Sequence, residues 1–171
     1  MSGMNGRTRL PLPILWLAAL LCLAGVGKAK EPADDISSCP VTQPPKPAFV
    51  PPPPYSEDRS PGFFLGSPTL WTSVRDAVQG VPLPEGGKRV KWPWFATGLS
   101  AEEKTDPAIF ITGRRLDAKA QPLGVEGSDY SVLPDGRSFF ASALLFPSPG
   151  CWEITAKRKD FEMKFVVWVA D

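Results

Sequence analysis

The sequence predicts an all-β chain, an antiparallel β-sandwich of immunoglobulin-like type, with a small β-barrel as the alternative. Three observations predict it. The last thirty residues alternate with a period of two: Trp152, Ile154 and Ala156 against Glu153, Thr155 and Lys157, then Phe161, Met163, Phe165, Val167 and Val169 against Glu162 and Lys164. Upstream, several more short apolar runs are separated by glycine- and proline-rich turns. No long helical periodicity and no internal repeat competes with this pattern.

The chain has 171 residues, with 21 prolines, no histidine and a net charge of +1. Without histidine the commonest general base and metal ligand are absent, and Ser-His-Asp or Cys-His devices are excluded. The near-neutral charge does not mark a nucleic-acid binder.

Residues 1–29 read as a secretory signal. Arg7 and Arg9 precede the 13-residue uncharged run Ile14 to Val26, which suits a signal core better than a membrane span, and Gly27-Lys28-Ala29 places cleavage after Ala29. A retained anchor is the alternative. Cleavage removes Arg7, Arg9 and Lys28 and no acidic residue, leaving a net charge of −2. Secreted or periplasmic placement follows, with no membrane span in the mature chain. Lipoprotein attachment at Cys39 is a lesser alternative, because Lys30, Glu31, Asp34 and Asp35 separate that cysteine from the apolar run.

In an oxidising compartment the two remaining cysteines, Cys39 and Cys151, are expected to form a disulfide. Residues 30–61 are a linker or strap. Nine of the 22 positions from 40 to 61 are proline, including Pro51 to Pro54, a composition that favours an extended spacer over a sheet interior. The folded domain is expected over 62–171, standing without the strap.

Within it, residues 63–66 and 69–74 are two short strands around Ser67-Pro68. Residues 79–88 are turn-rich. Arg89 to Phe95 alternates Val90, Trp92 and Trp94 against Arg89, Lys91 and Pro93, with Pro93 demoting it to an edge strand or the flank of a bulge. Ser100 and Glu103 fit a capped helical turn. Ala108 to Leu116 is a strand with Ile109 and Ile111 on one face. Residues 117–136 are long and polar, holding one or two short strand pieces. Three strands then follow: Phe139 to Phe146, one from Cys151, and one ending near Ala170, the last two paired as a hairpin across a charged tip at Lys157-Arg158-Lys159.

Four pieces carry a family resemblance: Cys39-Pro40-Val41-Thr42; Gly66 with Leu70-Trp71-Thr72; Thr112 through Ala118, reading TGRRLDA; and Phe146 through Thr155, reading FPSPGCWEIT. The pattern resembles an uncharacterised family of small secreted bacterial proteins and spans most of the mature chain. The resemblance implies an extracytoplasmic bacterial domain and brings no catalytic residue.

Glu102 and Glu103 are adjacent on a polar loop, whereas glycosidase carboxylates must face each other across a bond. Ser128-Asp129 and Asp135-Gly136 read as turn chemistry. Arg114-Arg115 reads as a solvated strand end with diverging side chains. No Asp-rich calcium loop is present, and no cofactor or metal is expected. Trp71, Trp92 and Trp94 stand out: they either cap one end of the core or form an aromatic platform for a sugar or partner. The expected function is a non-catalytic extracytoplasmic binding or structural module whose ligand the sequence does not name, with an envelope protein or a glycan as the candidate partners. The alternative is a histidine-free carboxylate enzyme acting on envelope or extracellular carbohydrate.

Overall fold

The computed structural model describes residues 36–57, 62–99 and 109–171. The signal segment, the cap at Ser100 and Glu103, and Glu102 lie outside these residues.

Apolar and β-branched runs cut by turns give ten strands among the described residues: β1 Phe63–Ser67, β2 Leu70–Val74, β3 Ala77–Val78, β4 Val81–Pro82, β5 Lys88–Trp94, β6 Phe110–Arg115, β7 Gly124–Val132, β8 Ser138–Phe146, β9 Gly150–Arg158 and β10 Phe161–Val169. They form a β1-β2 hairpin and two four-stranded sheets, ordered β3-β10-β9-β6 and β4-β5-β8-β7. All pairings are antiparallel except β3 on β10.

This is the immunoglobulin plan. Read as strands B to G, β5, β8 and β7 supply B, E and D of one sheet, and β6, β9 and β10 supply C, F and G of the other. The edge strands β6 and β7 belong to different sheets, so no barrel closes.

The period of two decides which side chains enter the core. Trp152, Ile154 and Ala156 of β9 and Met163, Phe165, Val167 and Val169 of β10 point inward and are buried. The facing sheet contributes Trp92 and Trp94 of β5 and Phe140, Leu144 and Phe146 of β8. Aromatic rings bridge the layers: Trp92 stacks on Phe165 at 5.6 Å and Phe146 meets Trp152 edge-on at 5.5 Å. Such pairs add to area burial by fixing geometry.

Three expectations are revised. The polar stretch 117–136 contains one nine-residue strand, β7, whose pairing with β8 shifts between Glu126 and Asp129; a bulge of this kind hides the period of two. β5 is an interior strand by order, because β4 pairs with its first two residues. Pro93 is tolerated because its missing N–H faces the stretch of that edge which β4 leaves open. The charged tip is shorter than the sequence suggests. Arg158 lies on the inward parity of β9, is 4% exposed, and donates through Nη1 to the Thr69 carbonyl at 3.2 Å, plugging the sandwich end beneath the β1-β2 turn. The turn itself is Lys159-Asp160, with Lys159 at φ +54°.

The strap is part of the packed structure. Thr42 extends the sheet edge beyond β3: its N–H donates to the Val166 carbonyl at 3.0 Å, and its Oγ1 accepts from the Val166 N–H at 2.7 Å. Further on, Phe49 and Tyr55 join a second apolar cluster with buried Trp71, Phe95 and Ala96. The Tyr55 ring meets Trp71 at 5.3 Å and Phe95 at 5.5 Å. Its hydroxyl donates to the Ser138 carbonyl at 2.8 Å and accepts from the Ser138 N–H at 2.9 Å, capping the first residue of β8. A domain boundary at residue 62 therefore cuts through continuous packing.

Tyr55→Phe keeps the ring and deletes both hydrogen bonds. It should lower stability by about 1–2 kcal/mol, since it leaves two main-chain groups short of a partner. Urea unfolding checks this; a midpoint equal to that of the parent protein would show that water replaces the hydroxyl without cost.

Candidate functional site

The two most distinctive sequence pieces meet at one corner of the sandwich. β6 carries Arg114 and Arg115 at its end, pairing with Glu153 and Trp152 of β9. Successive side chains of a strand diverge. Arg114 points to solvent and meets Glu153 at 2.8 Å. Arg115 turns inward, with its side chain only 10% exposed. Its guanidinium grips Asp117 with Nε to Oδ1 at 2.7 Å and Nη2 to Oδ2 at 3.1 Å, and donates through Nη1 to Ser148 Oγ at 2.9 Å. This planar, bidentate arrangement is one that lysine cannot reproduce. The Arg115 plane lies over Gly150, where any β-carbon would collide with it. Gly150 also sits at φ +131°, so the glycine is required twice over.

The expectation of a solvated strand end holds for Arg114 and fails for Arg115. A partner two residues away in sequence, Asp117, allows the second arginine to be buried. Burial works against the Asp117 charge, but the Arg115 fork and the Cys151 main-chain N–H outweigh it and hold the carboxyl below the usual aspartate range.

A native pKa below the unfolded one means that the bound carboxylate stabilises the fold fully above the ordinary aspartate value of about 3.9, and that this contribution fades as pH falls further. Asp117→Asn should therefore flatten the acid limb of stability. Melting curves between about pH 2 and 5 check it; parallel limbs for variant and parent would assign acid loss to other carboxylates.

Cys151 follows Gly150 and forms the disulfide with Cys39, with Cα atoms 5.4 Å apart. Both cysteines are buried. The Leu116 N–H donates to the Cys151 carbonyl at 2.8 Å, so the disulfide, the fork and the end of β6 form one unit.

The tryptophans do not form a platform. Trp92 and Trp94 share a face, 6.3 Å apart, but it is the inner one, and they are 3% and 0% exposed. Trp71 belongs to the second cluster and is fully buried. The Trp92 Nε1 donates to Thr72 Oγ1 at 2.8 Å, and Thr72 donates to the Pro93 carbonyl at 2.6 Å. These rings are core, because β5 turns the face that carries them toward the other sheet while Arg89 and Lys91 stay outside.

Among the other candidates, Asp135 accepts from the Arg137 N–H at 3.1 Å and pairs with its Nε at 2.8 Å, a turn contact as expected. Asp129 lies at the β7 bulge. Among the described residues no group of three potential metal ligands occurs.

Sequence reasoning missed a cleft of about 470 Å³ beside β5, lined by residues of β2 to β5 and the turns between them. Its origin is local. Odd-numbered residues of β5 turn their main-chain groups to this side: Phe95 exchanges two hydrogen bonds with Trp71, at 2.8 and 2.9 Å, and Arg89 lies opposite Val81. Between these pairings stands Pro93, which has no N–H, and the ladder lapses. Lys91 has no ladder partner on this side among the described residues. The gap is walled by Val78, Trp92 and Pro93, and three cations surround it: Arg75, Arg89 and Lys91. Among the described residues no acidic side chain lines it. Arg89 also reaches Glu126 at 3.4 Å across the outer face of the sheet. The signal was present as basic residues alternating with Trp92 and Pro93, but Arg75 lies on another strand-end and only the fold brings it in.

No protein-family model matches this chain, and no curated protein matches it.

Proposed function

We propose that this chain is a non-catalytic extracytoplasmic binding module that holds a component of the bacterial cell envelope, and that it belongs with the small secreted bacterial proteins its motifs resemble. The observation that carries the binding reading is the cleft beside β5, a concave, cation-rimmed gap along the edge that β4 pairs over only two residues. The motif residues do not compete for this role. Arg115, Asp117, Ser148 and Gly150 are committed to one another, and Cys151 to Cys39. Their chemistry is that of fastening. A disulfide and a tightly packed core suit a compartment that is oxidising and rich in proteases.

The reading is tested by sedimenting the secreted protein with isolated bacterial envelopes. Saturable retention, displaced by excess unlabelled protein, is the expected result. Recovery of all the protein in the supernatant at every envelope concentration would sink the binding reading.

A further inference from the structure

From the cleft beside β5 we infer that the partner is an acidic polysaccharide, bound through its carboxylate or other anionic groups by Arg75, Arg89 and Lys91. This rests on the binding reading above and names the ligand class for the same site.

The first argument is charge. The chain that remains after signal removal is net negative, at −2. Against that background three cations line one cleft and, among the described residues, no carboxylate does, although Arg89 also meets Glu126 at 3.4 Å outside it. A cleft with apolar walls, here Val78, Val90 and Trp92, concentrates the field of its rim charges. Neither Arg75 nor Lys91 has an ion-pair partner among the described residues. The contrast lies on the outer face of the other sheet, where Arg114, Lys157 and Lys164 are matched by Glu153 and Glu162 at 2.7 to 3.4 Å. Among the described residues, one surface neutralises its cations and the other leaves two of them without an ion-pair partner.

The second argument separates a glycan from an acidic peptide. A peptide entering a sheet edge draws its affinity from a run of main-chain hydrogen bonds. Here the open edge is one residue long. Lys91 is bounded on one side by the Arg89–Val81 pairing. On the other side stands Pro93, which has no N–H and whose carbonyl is taken by Thr72. Strand addition cannot propagate through such a gap. Recognition must run through side-chain cations, which suits a polymer whose anionic groups stand out from a ring backbone. Arginine forks match such carboxylates bidentately, and the Lys91 ammonium serves as a mobile point charge between them.

The test titrates the secreted protein with polygalacturonate, with neutral dextran and with poly-glutamate of equal charge, by calorimetry at low and physiological salt. Polygalacturonate should bind saturably and more weakly as salt rises, and dextran should not bind. Arg75→Ala with Lys91→Ala should weaken binding ~10-fold or more, the scale of losing charge-assisted contacts. Arg114→Ala with Lys164→Ala, on the far sheet, should leave it unchanged. A second reading needs no variant: polygalacturonate should slow amide exchange over residues 79–81 and 89–92 and leave 110–115 unaffected. Absence of saturable binding, equal binding by the Arg75/Lys91 variant, equal or tighter binding of poly-glutamate, or protection confined to other strands would each overturn the inference. Retention on envelopes without polygalacturonate binding would reject the acidic glycan alone and leave the binding module standing.

Discussion

Replacing both Cys39 and Cys151 with alanine should destabilise the folded chain by about 4–5 kcal/mol, the value for a cross-link that closes a loop of roughly a hundred residues. The sequence separation is 112 residues, near the upper end of what a single cross-link contributes. Most of this loss reflects the larger freedom of the unfolded chain. The strap depends on the same bond. With Cys39 released, Thr42 must hold the sheet edge alone, and the largely exposed stretch 46–50 should become an early site for proteinase K. Denaturant unfolding of the parent and the double variant measures the first effect, and timed digestion the second. A shift below about 1 kcal/mol would show that the unfolded chain is already compact without the bond. Two alkylatable thiols in the secreted protein would mean that the bond is not made there.

Trp152→Ala should cost about 3–5 kcal/mol, as for other large buried aromatics. Trp152 is fully buried, lies edge-on to Phe146, and donates its Nε1 to the Ser148 carbonyl at 2.9 Å. Truncation therefore removes a contact between the sheets and also leaves the Ser148 carbonyl unpaired beside the Arg115 fork. Trp152→Phe should recover much of the packing but not the hydrogen bond, and fall between the two. Unfolding by guanidinium, followed through the remaining tryptophans, checks the order. A cost near zero for Trp152→Ala would mean that the inner and outer faces of β9 are exchanged.

The parts of the fold that could be read from the sequence are those where one physical signal acts alone. β9 and β10 alternate without interruption, and the structure buries the face that the alternation nominates. The β1-β2 hairpin follows from Ser67-Pro68 between two apolar runs, and Ile109 and Ile111 point inward as their spacing requires. Elsewhere two signals conflict. β7 carries Gly124, Gly127 and a bulge, so its composition reads as loop although it pairs with β8 along most of its length. β3 and β4 are two residues each, too short for any period, and exist because β10 and β5 offer edges to them. Arg158 shows the limit of composition. Between two lysines it looks like a solvated tip, yet its parity on β9 sends it inward.

The candidate site was less legible still. The disulfide follows from the cysteine count together with the expected compartment. The aromatic set was recognised as unusual, but whether Trp92 and Trp94 face a ligand or the core depends on which sheet covers them, and alternation alone does not say. The cleft depends on a missing hydrogen bond. Pro93 was noticed as an obstacle to pairing, but the consequence of that obstacle, a gap with Arg75 brought beside it, appears only when the neighbouring strands are in place.

The covalent link between Cys39 and Cys151 also sets a path for mechanical force. A pull between residue 36 and residue 171 travels through Cys39 directly into the start of β9 and along the final hairpin. Everything between the two cysteines, including β1 to β8 and the cleft, hangs as a closed loop outside that path. Tension therefore acts on β9 and β10 and on what they pair with, β6, β3 and Thr42, and can draw out no more than the chain beyond Cys151, at about 3.3–3.6 Å per residue. A protein held at one end by a surface and tugged at the other would keep residues 39–151 tied as one closed loop while its last two strands yield, and would lose that limit on extension when the disulfide is reduced.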